Sequence, residues 1–230
     1  ALIHADAQEA LPAELELFSI YPTQTAIEET RYVQYFPTVS VDRGGPLQFT
    51  IPPSEKTYID PRKVFLYMKT RILDEDGDTL ELVTSDEDDT LPDGSLVYPI
   101  NYFHATCFKT LDIYMNGKNV SANDTLYPYR AYFETLLSYS RAAKDESLKA
   151  AMWYQDMNPV EDVSDAVAGP TAATASKNKG AVSRWLRTKG SKCFETFGPL
   201  HTEIFMQEKL IPGSVELNIK LHRADTKFAL

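Results

Sequence analysis

The chain has 230 residues, 43% hydrophobic and 11% aromatic, enough to bury one sizeable core or two small ones. A formal net charge of −10 excludes a protein whose whole surface binds nucleic acid or an anionic membrane. No apolar run approaches the roughly 20 residues that span a bilayer, so no membrane insertion is expected.

The opening, Ala1-Leu2-Ile3-His4-Ala5-Asp6, lacks the basic and apolar regions of a secretory signal. It also lacks an initiator Met, which implies processing or trimming. Residues 15–20 suggest an extended arm or short strand. "RYVQYFPTVSV", Arg31–Val41, is β-branched and aromatic and predicts a strand, with Pro37 confining it to an edge or a bulge. "DRGGP" turns the chain, and "LQFTI", Leu47–Ile51, predicts the next strand.

"VFLYMKTRIL", Val64–Leu73, alternates. Val64, Leu66, Met68, Thr70 and Ile72 point one way and Phe65, Tyr67, Lys69 and Arg71 the other. Asp76-Gly77 predicts a hairpin back through residues 80–83, because Gly supplies φ > 0 cheaply. "TSDEDDTLPDGS" is a polar loop. A further strand ends at Asn116-Gly117, a strong two-residue hairpin signal, with Leu111, Ile113 and Met115 on one face.

A helix follows. Tyr129, Phe133, Leu136, Leu137 and Ser140 fall on one helical face, which is expected to point inward. Pro128 stands in the first turn, where its missing N–H costs nothing, with Thr125 or Tyr127 as cap. A second helix is predicted over 145–154, and helix is expected only within about 126–154. Residues 158–183 are small, polar and aperiodic and predict a mobile loop. "KCFETFGPL" and "VELNIKLHR" close the chain as strands, the latter with Val215, Leu217, Ile219 and Leu221 inward.

About eight short strands with turn punctuation and two inserted helices predict an all-β fold. The expected architecture is an antiparallel, eight-stranded jelly-roll sandwich forming one domain over residues 1–230.

Catalytic patterns fail in turn. Gly44-Gly45 lacks P-loop or dinucleotide spacing, and no G-x-S-x-G elbow exists. Asp74, Asp76 and Asp78 imitate the start of an EF-hand loop, but Thr79 stands where Gly is required and Ser85 where Glu is required. His104, His201 and His222 lack the spacing of a cupin-like metal site. His104 and Cys107, three apart on an expected strand, would face opposite sides, which disfavours a dyad. Cys107 and Cys193 form no C-x-x-C motif and read as two buried thiols in a reducing compartment. Asn119-Val120-Ser121 and Asn123-Asp124-Thr125 match the glycosylation pattern, which needs a secretory route. No enzymatic activity, cofactor or metal is expected.

Lys177, Lys179, Arg184, Arg187, Lys189 and Lys192 follow one another without an acidic residue, with Trp185 among them. In so acidic a chain this segment, Lys177–Lys192, is an asymmetry suited to a neighbouring acidic subunit, and it is the only stretch suited to nucleic acid.

Three stretches carry a resemblance. "KTLDIYMNGKNVS", "NDTLYPYRAYFETLLSYS" and "AAMWYQD" in the middle, "LELFSIYPTQTAIE" early and "GPLHTEIFMQEKLIPGSVELNIKLHRA" late resemble the major capsid proteins of Polinton/Maverick elements and adintoviruses. Those are hexon-like, double jelly-roll proteins. The resemblance implies that this chain is the N-terminal roll, a structural subunit of an icosahedral shell built by trimeric, pseudo-hexagonal assembly. The implied partners are copies of itself as a homotrimer through the full-length protein, and penton or minor capsid proteins. The implied location is the virion, assembled in host cytoplasm or nucleus. Aromatics and Arg anchor interfaces. The expected subunit contacts are therefore Tyr127, Tyr129, Arg130 and Tyr132 at the helix head, and Arg184, Trp185 and Arg187 in the basic segment. A carbohydrate- or receptor-binding jelly-roll module is the alternative function.

Overall fold

The computed structural model describes residues 23–41, 45–80, 97–121, 125–156 and 178–230. The chain divides into two units, Ala1–Gln34 and Tyr35–Leu230. In the first, the described residues 23–34 are exposed and form neither helix nor strand. The Ile27 N–H donates to Gln24 Oε1 at 3.0 Å.

The second unit mixes helix and strand. Its strands are β1 (Leu47–Ile51), β2 (Tyr58–Ile59), β3 (Phe65–Thr70), β4 (Phe108–Met115), β5 (Lys118–Asn119), β6 (Phe194–Pro199), β7 (Ile211–Pro212) and β8 (Leu217–Arg223). Its helices are α1 (Phe103–Thr106), α2 (Tyr127–Ser138), α3 (Arg141–Asp145), α4 (Lys179–Thr188), α5 (Glu203–Met206) and α6 (Thr226–Ala229). Short 3-10 turns cover Pro61–Lys63, Ser147–Ala151 and Lys189–Ser191.

The largest sheet runs β1-β8-β4-β5, and β2-β7 and β3-β6 form two-stranded ribbons. β8 is its spine because its inward residues meet apolar partners on both sides. Leu221 lies between Leu47 and Leu111, Ile219 between Phe49 and Ile113, and Leu217 between Ile51 and Met115. Leu217 and Leu221 are fully buried, as alternation in a half-buried strand requires. Asn116 and Gly117 both take positive φ, 47° and 77°, as a tight two-residue hairpin demands, and β4 returns as β5 there.

The all-β jelly-roll expectation is overturned. The sheets hold two to four strands, and helix, at 30%, exceeds strand, at 24%. Helix also extends beyond 126–154, into α1, α4, α5 and α6. Three local causes are visible. The expected strand Arg31–Val41 has no ladder in its described residues, and Pro37 interrupts it; Thr38 reaches β1, donating its N–H to the Gln48 carbonyl at 2.7 Å. The stretch around His104 and Cys107 forms α1, and Thr106 turns its hydroxyl back onto the Tyr102 and Asn101 carbonyls at 3.1 and 3.2 Å. The segment 179–188, expected to continue a loop, is helical because the Asn178 side chain caps it, accepting the Ala181 N–H at 3.2 Å. The rest of the expected loop, 158–177, and most of the return strand 80–83 lie outside the described residues. The helix expected over 145–154 is α3 followed by the 3-10 turn Ser147–Ala151.

The Asp76-Gly77 turn forms as expected. Leu73 bridges Thr79, and the Asp74 carboxylate accepts the N–H groups of Gly77 and Asp78, each at 2.7 Å. That carboxylate organises its own turn, the work of an Asx side chain. Cys193 is exposed rather than buried, and both thiols are free.

The main core gathers Leu66, Tyr102, Phe108, Ile113, Trp153, Leu200, Phe205 and the inward β8 residues. A second cluster holds Ile72, Phe103, Met152, Phe194 and Ala229.

Candidate subunit interface

α2 begins at Tyr127 with Pro128 in its first turn, as the sequence predicts, though its cap, Leu126, makes no side-chain hydrogen bond. The inward face differs from the expected one. Tyr127, Ala131 and Thr135 are buried, and Ala131 and Thr135 are fully so. Small residues at i and i+4 let the helix lie close against β4 and α1. Of the residues expected inward, Leu136 is half-buried against the core, and the other large ones face the other way. Leu126, Tyr129, Phe133 and Leu137 are 58%, 51%, 55% and 82% exposed, and their spacing of three and four places them on one outward stripe. Tyr129 meets the ring of Phe228 edge-on at 5.8 Å, so α6 extends the stripe.

A buried polar chain holds α2 in this rotation. Tyr102 Oη lies 2.6 Å from His201 Nε2, and His201 Nδ1 lies 3.1 Å from Glu134 Oε2. Glu134 Oε1 accepts from Arg130 Nε at 2.7 Å, and Arg130 also pairs with Glu203 at the start of α5. The Tyr127 hydroxyl accepts the His201 N–H at 3.5 Å. Burial pushes the phenols of Tyr102 and Tyr127 up and the His201 imidazole down, although Glu134 pulls His201 the other way. Hydrogen bonding from backbone, then from Arg130, holds the Glu203 carboxyl below its usual range. Tyr, His and Glu in series form a relay that could pass a proton. Tyr102 is fully buried and His201 nearly so, which gives a substrate no open face on the hydroxyl. The chain ties α2 to the segment before α5.

The seven expected contact residues are dispersed. Tyr129 is on the stripe. Arg130 is at its polar margin, half-buried and ion-paired. Tyr132 stacks on Trp153 at 5.1 Å and belongs mainly to the packing beneath α2. Tyr127 is buried. Arg184 is 2% exposed: Nε donates to the Pro99 carbonyl at 2.8 Å, a second nitrogen to the Tyr154 carbonyl, and Nη2 to Asp156 at 2.8 Å. It is a strut that pins α4, not a surface anchor. Trp185 is half-buried with Lys189 over its ring at 5.1 Å, and Arg187 is exposed, 5.2 Å above Tyr154. The outward Phe133 and Leu137 were missed as contacts because large apolar residues on a helix read as core.

Among the described residues, no group of three or more His, Cys, Asp or Glu is placed to hold a metal ion. No helix among them is long and apolar enough to cross a membrane.

No protein-family model matches the chain, and no solved structure matches it. An uncharacterized protein of Caenorhabditis elegans is similar, 22% identical over 212 residues. The match covers 90% of this chain and 44% of that protein, so the chain spans less than half the length of the relative it matches.

Proposed function

We propose that the chain is a structural subunit of a viral or virus-derived shell, a major capsid protein of the kind found in Polinton/Maverick elements and adintoviruses. Its work is geometric. Repeated contacts between copies close the shell, with trimers as the repeating block and penton or minor capsid proteins at special positions. The site of action is the virion, assembled in host cytoplasm or nucleus.

The outward stripe Leu126, Tyr129, Phe133 and Leu137 carries the reading. It lies within the stretch "YPYRAYFETLL" and the residue before it, where the resemblance to those proteins is most specific. A row of four large apolar side chains on one exposed helix face is what an interface core supplies and what a solvated helix avoids. Arg130 and Glu203 beside it provide a polar rim. A stable interface buries about 1,200–2,000 Å², so the stripe would be its centre rather than its whole.

The test is sedimentation of the full-length gene product and its Phe133→Ser/Leu137→Ser variant. The reading expects a trimer that weakens at least tenfold in the variant, with thermal unfolding of the variant little changed because both side chains are already exposed. A variant that trimerises normally removes the stripe from the interface.

A further inference from the structure

A cleft of about 840 Å³ opens on another part of the second unit, between β3, the 3-10 turn Ser147–Ala151, α4 and the start of β6. Four cations from four places in the sequence border it: Lys69, Lys149, Arg187 and Lys192. Among the described residues, Glu195 is the only carboxylate in its lining. In a chain of net charge −10, this is a local concentration of positive charge created by folding. Lys69 spends part of its charge on Glu195 at 3.4 Å, a well-exposed and therefore weak pair. Lys149 and Lys192 are exposed and make no ion pair among the described residues.

The cleft continues into an aromatic surface. Lys69 stands on the outward face of β3 in one row with Phe65 and Tyr67, spaced by two residues as a strand requires. Across the ribbon, Tyr67 is paired with Phe197 and Lys69 with Glu195. Phe65, Tyr67 and Phe197 are 41%, 53% and 49% exposed, and Phe65 stacks on Phe197 at 5.1 Å. From Phe65 to Lys69 the row covers about 13 Å.

We propose that this ribbon and cleft together bind single-stranded nucleic acid. The cations would track the phosphate backbone, and the aromatic row would stack bases, the two components that sequence-tolerant single-strand binders combine. The chemistry favours this occupant over two others. An acidic peptide would satisfy the cations and leave the aromatic row without a partner. A duplex keeps its base faces inside its own stack, where the row cannot reach them. The site differs from the basic segment taken alone, since Lys69 and Lys149 lie outside that segment and Arg184 within it is buried. The inference does not rest on the capsid reading.

Fluorescence anisotropy with a labelled oligothymidylate of about 20 nucleotides tests it, run on the wild-type chain at low and moderate salt. The expected result is salt-sensitive binding, with a duplex of equal length and a poly-glutamate peptide each at least tenfold weaker. Lys149→Glu/Lys192→Glu should weaken binding at least tenfold and flatten the salt dependence, with the slope of log K against log salt falling by roughly 1.4. Tyr67→Ala should weaken it roughly tenfold. Circular dichroism checks that each variant is folded, and Lys149→Gln/Lys192→Gln serves if the reversal unfolds the chain. No binding at low salt, equal binding of the duplex or the peptide, or binding indifferent to these folded variants would overturn the proposal.

Discussion

Lowering the pH should destabilise this protein through His104. His104 is 1% exposed in α1, with Nδ1 3.2 Å from Thr196 Oγ1 and Nε2 without a hydrogen-bond partner. Gly198 is packed against the ring so closely that a Cβ there would lie 2.8 Å from its Cδ2. Burial pushes the imidazole down from its ordinary value of 6.5 to about 4; the Gly198 backbone pulls the other way, and the neighbouring His201 adds to the fall. The unfolded chain binds the proton near 6.5 and the folded chain does not until about 4. Stability from this group is therefore complete above pH 6.5 and is lost as pH falls toward 4. The loss is about 2 kcal/mol at pH 5 and about 3 kcal/mol below pH 4. His201, also held down by burial, acts in the same direction. Urea denaturation followed by tryptophan fluorescence at pH 7.5 and 5, on wild type and His104→Gln, isolates the His104 share. The wild type should lose about 2 kcal/mol more than the variant over that interval. Equal losses in the two proteins would show that His104 is hydrated or paired in the native state, and that the packing described around Gly198 is wrong.

Leu217→Ala should cost about 2–5 kcal/mol, because the side chain is fully buried between Ile51 and Met115; a loss under about 0.5 kcal/mol in the same denaturation assay would place β8 on the wrong face. Gly213→Ala should prevent the β2–β7 ribbon from forming, since the added Cβ would lie 2.0 Å from the Thr57 carbonyl oxygen and 2.5 Å from that of Ser54. Unchanged amide-exchange protection at Ile59 and Ile211 would contradict that. Arg184→Met should lower stability by about 3–5 kcal/mol by stranding the Pro99 and Tyr154 carbonyls and Asp156, while leaving the oligomeric state of the folded fraction unchanged; loss of assembly without loss of stability would return Arg184 to the interface.

Strands with one buried face were legible in the sequence. β8 and the two faces of β3 follow from alternation, though which face of β3 is outward does not, and the Asn116-Gly117 hairpin follows from its need for positive φ at two successive residues. Pairing was not legible, because it depends on contacts such as Leu47 with Leu221, 174 positions apart in number and unmarked locally. The rotation of α2 was misread for a physical reason. Bulk on a helix signals burial, yet Ala131 and Thr135 face the core because small residues permit close approach, while Tyr129, Phe133 and Leu137 face out. Arg184 was misread similarly. A cation in a basic run looks solvated until the fold brings two carbonyls and a carboxylate around it. The His201–Glu134–Tyr102 chain joins positions separated by 67 and 99 residues, and no spacing rule in the sequence marks it. Helix content was underestimated because α1, α5 and α6 are single turns fixed by tertiary contacts rather than by periodicity.

The mass of the full-length gene product in solution bears most directly on the central claim, that the chain works by assembling with copies of itself. Sedimentation equilibrium over a range of concentrations should give a trimer, tightening as concentration rises and loosened by Phe133→Ser/Leu137→Ser. A full-length protein that stays monomeric at the highest concentration reached would contradict the account, leaving the outward stripe of α2 without the partner proposed for it.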